Sequence, residues 1–397
     1  MIHRDRMRDH VLTLIRIDSP SRHERELAMH LEAALKRLGV EVRFDAAGRI
    51  VGGTVGNFIA RLPGTRSGAP PFLLCAHMDT VGSDVGITPR VDGDVITSDG
   101  STILGADDKS GIAIICEVLR VLREEAIPHG PLEIVFTICE EIGLLGARSL
   151  EATELQARAG LVLDSSNPDH LITRAPAADR LQFTVRGLEA HAGVCPEKGI
   201  SAIRIVSEAI AAMRLGRLDE ETTANIGTIA GGTAVNIVPN AVTVHGEARS
   251  HDEGKLRAQT DHMVRCFEEA AARHAVTLDG TTHRGHVTCA VNRDYDRLFV
   301  PEEAPIVQLV RRAARTLGRE ITLRRSGGAS DANILFAKGI EVANLGTGQR
   351  EVHTVREHLV LSDMVRSAEL VLQTLRLHAD GLSREPEAEG RRVPCTR

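Results

Sequence analysis

Aromatic side chains are nearly missing from this 397-residue chain: Phe, Tyr and Trp together make up 2%, with no Trp and one Tyr. Bases of single-stranded nucleic acids stack on such rings, so their scarcity argues against that class of ligand. An excess of positive charge is missing as well. Lys and Arg number 48 against 54 Asp and Glu, a formal charge of −6, whereas a nucleic-acid surface is ordinarily basic. No apolar run approaches the length of a membrane span, and the N-terminal MIHRDRMRDHVLTLIRIDSP lacks the apolar stretch of a signal peptide. The seven cysteines form no C-x-x-C pair and no regular spacing, which fits a reducing compartment better than a disulfide framework. Cys75, Cys116 and Cys139 lie in apolar runs, where cysteine acts as a small hydrophobe. The expectation is a cytoplasmic protein with no membrane and no nucleic-acid partner.

What is present is an ordinary globular composition, 42% apolar and 26% charged, over a length sufficient for two to three domains. Ser21 and Glu24 have the S-x-x-E spacing of a capping box, ahead of an apolar face at Leu27, Leu31, Leu35 and Leu38. Short apolar runs at 56–62, 71–76, 132–139 and 160–163 alternate with helical patterns such as 109–122, which indicates an α/β layer with a largely parallel sheet. The middle of the chain changes rhythm. Strand patterns at 181–186, 225–230, 241–249 and 287–291 are interleaved with helical ones at 200–215 and 253–274, giving the order β-α-β-β-α-β of a compact α+β domain. Helix and strand patterns then resume at 305–317, 340–345 and 361–378. The expected organisation is a catalytic α/β domain over 1–177 and 292–379, with a smaller α+β domain inserted at 178–291 and a disordered tail at 380–397.

Open α/β sheets place their ligands beyond the carboxyl ends of their strands. Three apolar runs end there in potential metal ligands: PFLLCA leads into His77-Met78-Asp79, LEIVFTIC into Glu140-Glu141, and GLVL into Asp164. Asp107 stands before a helix in Gly105-Ala106-Asp107-Asp108-Lys109, and His353 follows the Gly-rich loop after EVANLG. Singly, each string is an ordinary surface pair or helix start; together, after separate strands, they form a pattern. Two divalent ions need terminal ligands on each side and a carboxylate between them. His77, Asp164, Glu141 and His353 can be the terminal ligands, and Asp107 the bridge. Zinc suits two imidazoles with carboxylates, and cobalt or manganese also accepts that set. Asp79, two residues along an extended strand from His77, can take the other imidazole N–H. Glu140 stays free as a general base.

The strings CAHMDT, ILGADDKSGIA, CEEIGLLGA, VLDSS, SGGASDAN and GTGQREVHT resemble the M20 metallopeptidases, in their peptidase T-like, tripeptide aminopeptidase-like branch. The resemblance covers nearly the whole chain except its C-terminal tail. It implies that His77 and Asp164 hold one metal, that Glu141 and His353 hold the other, and that Asp107 bridges them. Glu140 becomes the general base, with Asp79 behind His77, and the bond after Asp107 is expected to be cis. The inserted domain becomes a lid and dimerisation domain of ferredoxin-like topology, making the chain a homodimer. Within it, His191 of EAHAGVCPEKGISA matches a histidine that reaches the partner subunit's active site to stabilise an oxyanion. Arg249 of GEARSHD matches an arginine for a substrate carboxylate, and Asn236 of GGTAVNIVPN a lid residue near the substrate. The glycines of the SGGASD string, Gly328 among them, are expected to bring backbone close to the substrate.

The reaction so implied is hydrolysis of a peptide bond in a small peptide. An Asp-Asp-Lys string replaces the Asp-Asn-Lys of peptidase T, and the chain is shorter, so strict tripeptide specificity does not follow. Deacylation of N-acyl amino acids is the rival within enzymes. A non-catalytic metal-binding scaffold is the rival outside them, and the filling of every ligand position weighs against it.

Overall fold

The computed structural model describes residues 1–381. The expected disordered tail at 380–397 therefore falls outside the described residues from 382 onward; Asp380 caps the final helix, Leu361–Ala379. The chain divides into two compact units. One comprises Met1–Thr173, Phe299–Arg325 and the described residues from Ser330 onward; the other comprises Arg174–Leu298 and Ser326–Ala329.

At the centre of the first unit, four strands run parallel in the spatial order Leu132–Thr137, Phe72–His77, Ala159–Ser165 and Glu341–Gly346. Phe58–Leu62 flanks them antiparallel and is followed by Glu41–Phe44. Every residue of Phe72–His77 and Leu132–Thr137 is buried, which is why those runs read as continuously apolar rather than alternating. Full burial of each Leu, Ile, Val or Phe there contributes roughly 1.5–3 kcal/mol. The helix Ala106–Glu124 packs on this sheet so closely that a Cβ at Gly111 would lie 2.2 Å from the Leu163 carbonyl oxygen. The helices Arg4–Ile15 and Leu361–Ala379 pack against it in turn.

A small four-stranded sheet carries a loop that the sequence pattern does not announce. Gln349–Arg350 pairs antiparallel with His358–Val360, which pairs with Val95–Thr97 and through it with Arg90–Asp92. Residues 351–357 are thereby tied at both ends. Among the described residues, no helix is long and apolar enough to cross a membrane.

The second unit is built on the antiparallel sheet Gly216–Arg217, Thr222–Gly231, Ala241–Ser250, Ala177–Arg186 and His286–Tyr295, in that spatial order. Helices Ala202–Ala212 and Glu253–Ala272 pack on it around a core in which the Phe183 and Phe267 rings stack at 3.9 Å. The four long strands and two helices follow the β-α-β-β-α-β order, with a hairpin of Ala275–Leu278 and Thr281–Arg284 added before the last strand. The unit is wider than the expected 178–291. It runs from Arg174 to Leu298, and its first strand, starting at Ala177, pairs at Ala178 with Tyr295, beyond 291.

Candidate metal centre

Three of the parallel strands deliver four acidic and imidazole side chains to one end of the sheet. His77 is the last residue of its strand, Glu140 and Glu141 follow Leu132–Thr137, and Asp164 is the next-to-last residue of Ala159–Ser165. Asp107 enters from the start of Ala106–Glu124, where it and Asp108 have non-helical backbone angles. The Asp107–Asp108 peptide bond is cis. His353 comes from the tied 351–357 loop, with the left-handed φ of 64° that is uncommon outside glycine and that clusters at functional sites.

Two three-residue sets result, each with one donor atom per residue and all donors within 4.8 Å of one another: His77, Asp107 and Asp164, and Asp107, Glu141 and His353. Asp107 belongs to both. Its Oδ1 is 3.3 Å from His77 Nε2, and its Oδ2 is 3.3 Å from His353 Nε2. His353 Nε2 also lies 3.0 Å from Glu141 Oε2. His77, Asp107 and Glu140 are buried, and His353 is half-exposed at the rim.

The electrostatics are those of crowded, desolvated charge. Burial opposes ionisation of Asp107, yet the imidazoles of His353 and His77 outweigh it and hold the carboxyl below its ordinary pKa. Burial likewise opposes a charge on His77, but Asp107 and Asp79 raise it well above the usual histidine range. Hydrogen bonds to Asp107 and Glu141 push His353 up to about 10. Burial drives Glu140 well above the usual carboxylate range, and Asp164, Asp331 and Glu141 add to it. Asp164 is raised by burial and by Asp107, and Glu141 by burial.

Asp79 differs from expectation. The nearer partner of His77 Nδ1 is the Asp79 backbone carbonyl at 2.9 Å, with the carboxylate at 3.5 Å. The carboxylate turns instead to the next strand end: Oδ1 accepts the N–H of Glu140 at 2.9 Å, and Oδ2 the N–H of Glu141 at 3.1 Å. Ser21 Oγ donates to the same Oδ2 at 2.6 Å. The expected Ser21–Glu24 capping box does not form. The helix begins at Arg25 without a side-chain cap, and buried Glu24 accepts the N–H of Cys139 at 3.0 Å. Both residues are engaged at the strand end, which holds the turn bearing Glu140 and Glu141.

Several neighbours of the centre were not singled out from the sequence. Gln349 Nε2 donates to Asp107 Oδ1 at 3.1 Å and reaches Asp164 Oδ1 at 3.4 Å, while its Oε1 accepts from Ser110 and Thr347. Asn344 brackets the Asp164 backbone, accepting its N–H at 2.9 Å and donating to its carbonyl at 2.7 Å. Asp331 is buried, accepts from Thr137 Oγ1, and is pushed up to about 6 by burial. Buried Glu357 binds backbone around Asp107. A Gln or Asn held by partners far along the chain leaves no spacing signal; only its place within GTGQREVHT, four residues before His353, could have pointed to Gln349.

His191, Asn236, Arg249 and Gly328 belong to the second unit. His191 and Asn236 are exposed on two paired segments: His191 bridges Ile237, and the Ala192 N–H donates to the Asn236 carbonyl at 2.9 Å. Arg249 is half-buried and paired with Glu247, with Nε 3.0 Å from Oε1 and Nη2 donating to Oε2 at 3.0 Å. A Cβ at Gly328 would lie 4.0 Å from Arg249 Nη1, so the Gly-rich segment runs alongside that guanidinium.

Comparison with known proteins agrees with this chemistry. The structure of the aminopeptidase PepT from Bacillus cereus ATCC 10987 is 40% identical, covers 95% of this chain and 99% of its own, and superposes with a TM-score of 0.85. A tripeptidase structure from Staphylococcus aureus Mu50 is 35% identical, covers 96% of this chain and 100% of its own, and has a TM-score of 0.88. The uncharacterized protein YqjE of Bacillus subtilis (strain 168) is 40% identical over 373 residues, 94% of this chain and 98% of its own. The model of the peptidase family M20/M25/M40 matches residues 73–377, a span that holds all five side chains of the two sets. With that span matched and relatives aligned nearly end to end, the chain belongs to peptidase family M20/M25/M40 and is a metallopeptidase-type hydrolase.

Proposed function

We propose that the chain hydrolyses a peptide bond of small peptides, as a tripeptidase or aminopeptidase does, with two divalent cations at the centre and Glu140 as general base. The observation that carries the reading is the sharing of Asp107 between the two sets, one carboxylate oxygen toward each imidazole. The residues fit such ions. Four carboxylates and two imidazoles crowd into a mostly buried space, and Glu141 Oε1 is buried there with no hydrogen-bond partner in the protein. Charge of that density is ordinarily paired or coordinated to metal. His77 and Asp164 would hold one ion, Glu141 and His353 the other, and Asp107 both; zinc suits this donor set, and cobalt or manganese would be accepted.

When bound, two such cations supply Lewis acidity, bringing the pKa of a water toward neutrality and polarising the scissile carbonyl. Glu140 belongs to neither set and is therefore free to act on protons. Its carboxylate takes the proton of the attacking water and delivers it to the leaving amine, a shuttle favoured by a carboxyl whose pKa burial has raised. Asp79 fixes Glu140 through its backbone, and its carbonyl holds His77 Nδ1, leaving Nε2 for a ligand bond. In the second unit, Arg249 takes a substrate carboxylate beside Gly328, Asn236 lies near the substrate, and His191 stabilises the oxyanion in the partner subunit of a homodimer. The exposed Val194, Val235 and Ile237, on the two segments that carry His191 and Asn236, support burial of that region against a second copy.

The test is turnover of tripeptides, dipeptides and N-acyl amino acids with zinc, cobalt and manganese supplied separately. Fastest hydrolysis of peptides supports the reading. Faster hydrolysis of acyl amino acids replaces it with deacylation.

A further inference from the structure

Glu357 is buried, yet it sits in a loop, and its carboxylate is given over to backbone. Oε2 accepts the N–H groups of Leu104 and Gly105, each at 2.8 Å, and Oε1 accepts the N–H of Asp107 at 3.0 Å. Those three donors lie where the chain is irregular. Gly105 is left-handed (φ 68°, ψ 28°), and Asp107 has φ −80° and ψ 105°, so no regular ladder fixes this stretch. A carboxylate brought in from some 250 residues away supplies the acceptors that secondary structure does not.

The source of that carboxylate matters. Glu357 and His353 share the loop 351–357, which is tied at its base by the pairing of Gln349–Arg350 with His358–Val360. One short loop thus reaches Asp107 twice: His353 Nε2 at the Asp107 side chain, 3.3 Å from Oδ2, and Glu357 at the Asp107 backbone. A cap that served only the helix end would not need to share its loop with a residue facing the Asp107 carboxylate. We infer that Glu357 is a positioning residue for the centre: it fixes the backbone at 104–107, and so sets the placement of the Asp107 carboxylate between the two imidazoles. This rests on the reading of Asp107 as a bridge between two ions.

The experiment compares metal-free wild type with Glu357→Gln, titrated with Co2+ and followed by calorimetry and visible absorption. Glutamine keeps the shape but presents an amide N–H₂ where one backbone N–H now finds an acceptor. Affinity for the cation weaker by roughly 10–100-fold, the range for residues that orient metal ligands, is expected. The cobalt spectrum should change, and kcat should fall while KM stays within about twofold, as for a loss confined to the chemical step. Wild-type affinity and spectrum in Glu357→Gln overturn the inference, and so does a lowered Tm unaccompanied by either change. Asp107→Asn is measured in parallel. If wild type takes fewer than two Co2+, or Asp107→Asn binds as wild type does, the bridging reading fails and takes the inference with it. If both controls behave as bridging requires and only Glu357→Gln is silent, the positioning role alone is wrong.

Discussion

The carboxylate of Asp79 accepts the backbone N–H of Glu140 at 2.9 Å, tying the end of one parallel strand to the turn that follows its neighbour. Asp79 thereby governs the two residues that differ most in their proposed duties. It holds Glu140 as the base, and through Oδ2 it holds Glu141 as a ligand.

Asp79→Ala leaves two N–H groups without their acceptor in a buried place. The expected stability loss is about 1–3 kcal/mol for each group left unsatisfied, read from urea unfolding. Turnover should fall by roughly 10–100-fold, as for other residues that orient ligands. Unchanged turnover together with unchanged stability would remove Asp79 from this role.

Glu140→Gln keeps the volume and the backbone bond to Asp79 but cannot take a proton. A fall in kcat of about 10²–10⁴-fold is expected, with bound metal unchanged. Near-normal turnover would show that another group is the base.

His353 gives a pH test with a definite sign. In the metal-free protein, Asp107 and Glu141 hold its pKa up to about 10, whereas an unfolded histidine titrates near about 6.5. A raised folded pKa gives stability that is fully present below about 6.5 and is lost as pH rises through about 10. The Tm advantage of metal-free wild type over His353→Ala should therefore shrink across that window. Comparing the two proteins cancels groups that titrate alike in both, such as Lys109, which burial lowers to about 7. Protons and cations also compete for His353 Nε2, so metal affinity should weaken as pH falls. An advantage that grows with pH contradicts the assigned geometry.

Arg249→Ala removes a cation whose hydrogen bond to a substrate carboxylate is worth about 1.5–3 kcal/mol, or roughly 10–100-fold in kcat/KM. The loss should appear with free-acid peptides and be absent with the corresponding amides. Equal kinetics on both sets would show that Arg249 serves only its pairing with Glu247.

The elements were legible in the sequence where burial imposes a pattern. PFLLCA and LEIVFTIC read as strands because both faces of the parallel sheet are covered, and their ends point to His77, Glu140 and Glu141. The small sheet that ties 351–357 was not legible, since strands of two or three residues are too short for any period. The capping-box reading of Ser21 and Glu24 failed because local spacing is blind to partners far along the chain; both residues are drawn to the strand end by Asp79 and Cys139. Gln349, Asn344 and Glu357 escaped notice for the same reason. Their bonds link positions about 180 to 250 residues apart, and no spacing within the sequence encodes such bonds.

The most direct test of the whole account is the metal content of the chain. After exhaustive chelation and reloading with zinc, wild type should retain two ions per chain by elemental analysis, and Asp107→Asn should lose at least one of them under the same dialysis. Saturation of wild type at one ion or none, or retention of both by Asp107→Asn, would contradict a centre bridged by that carboxylate.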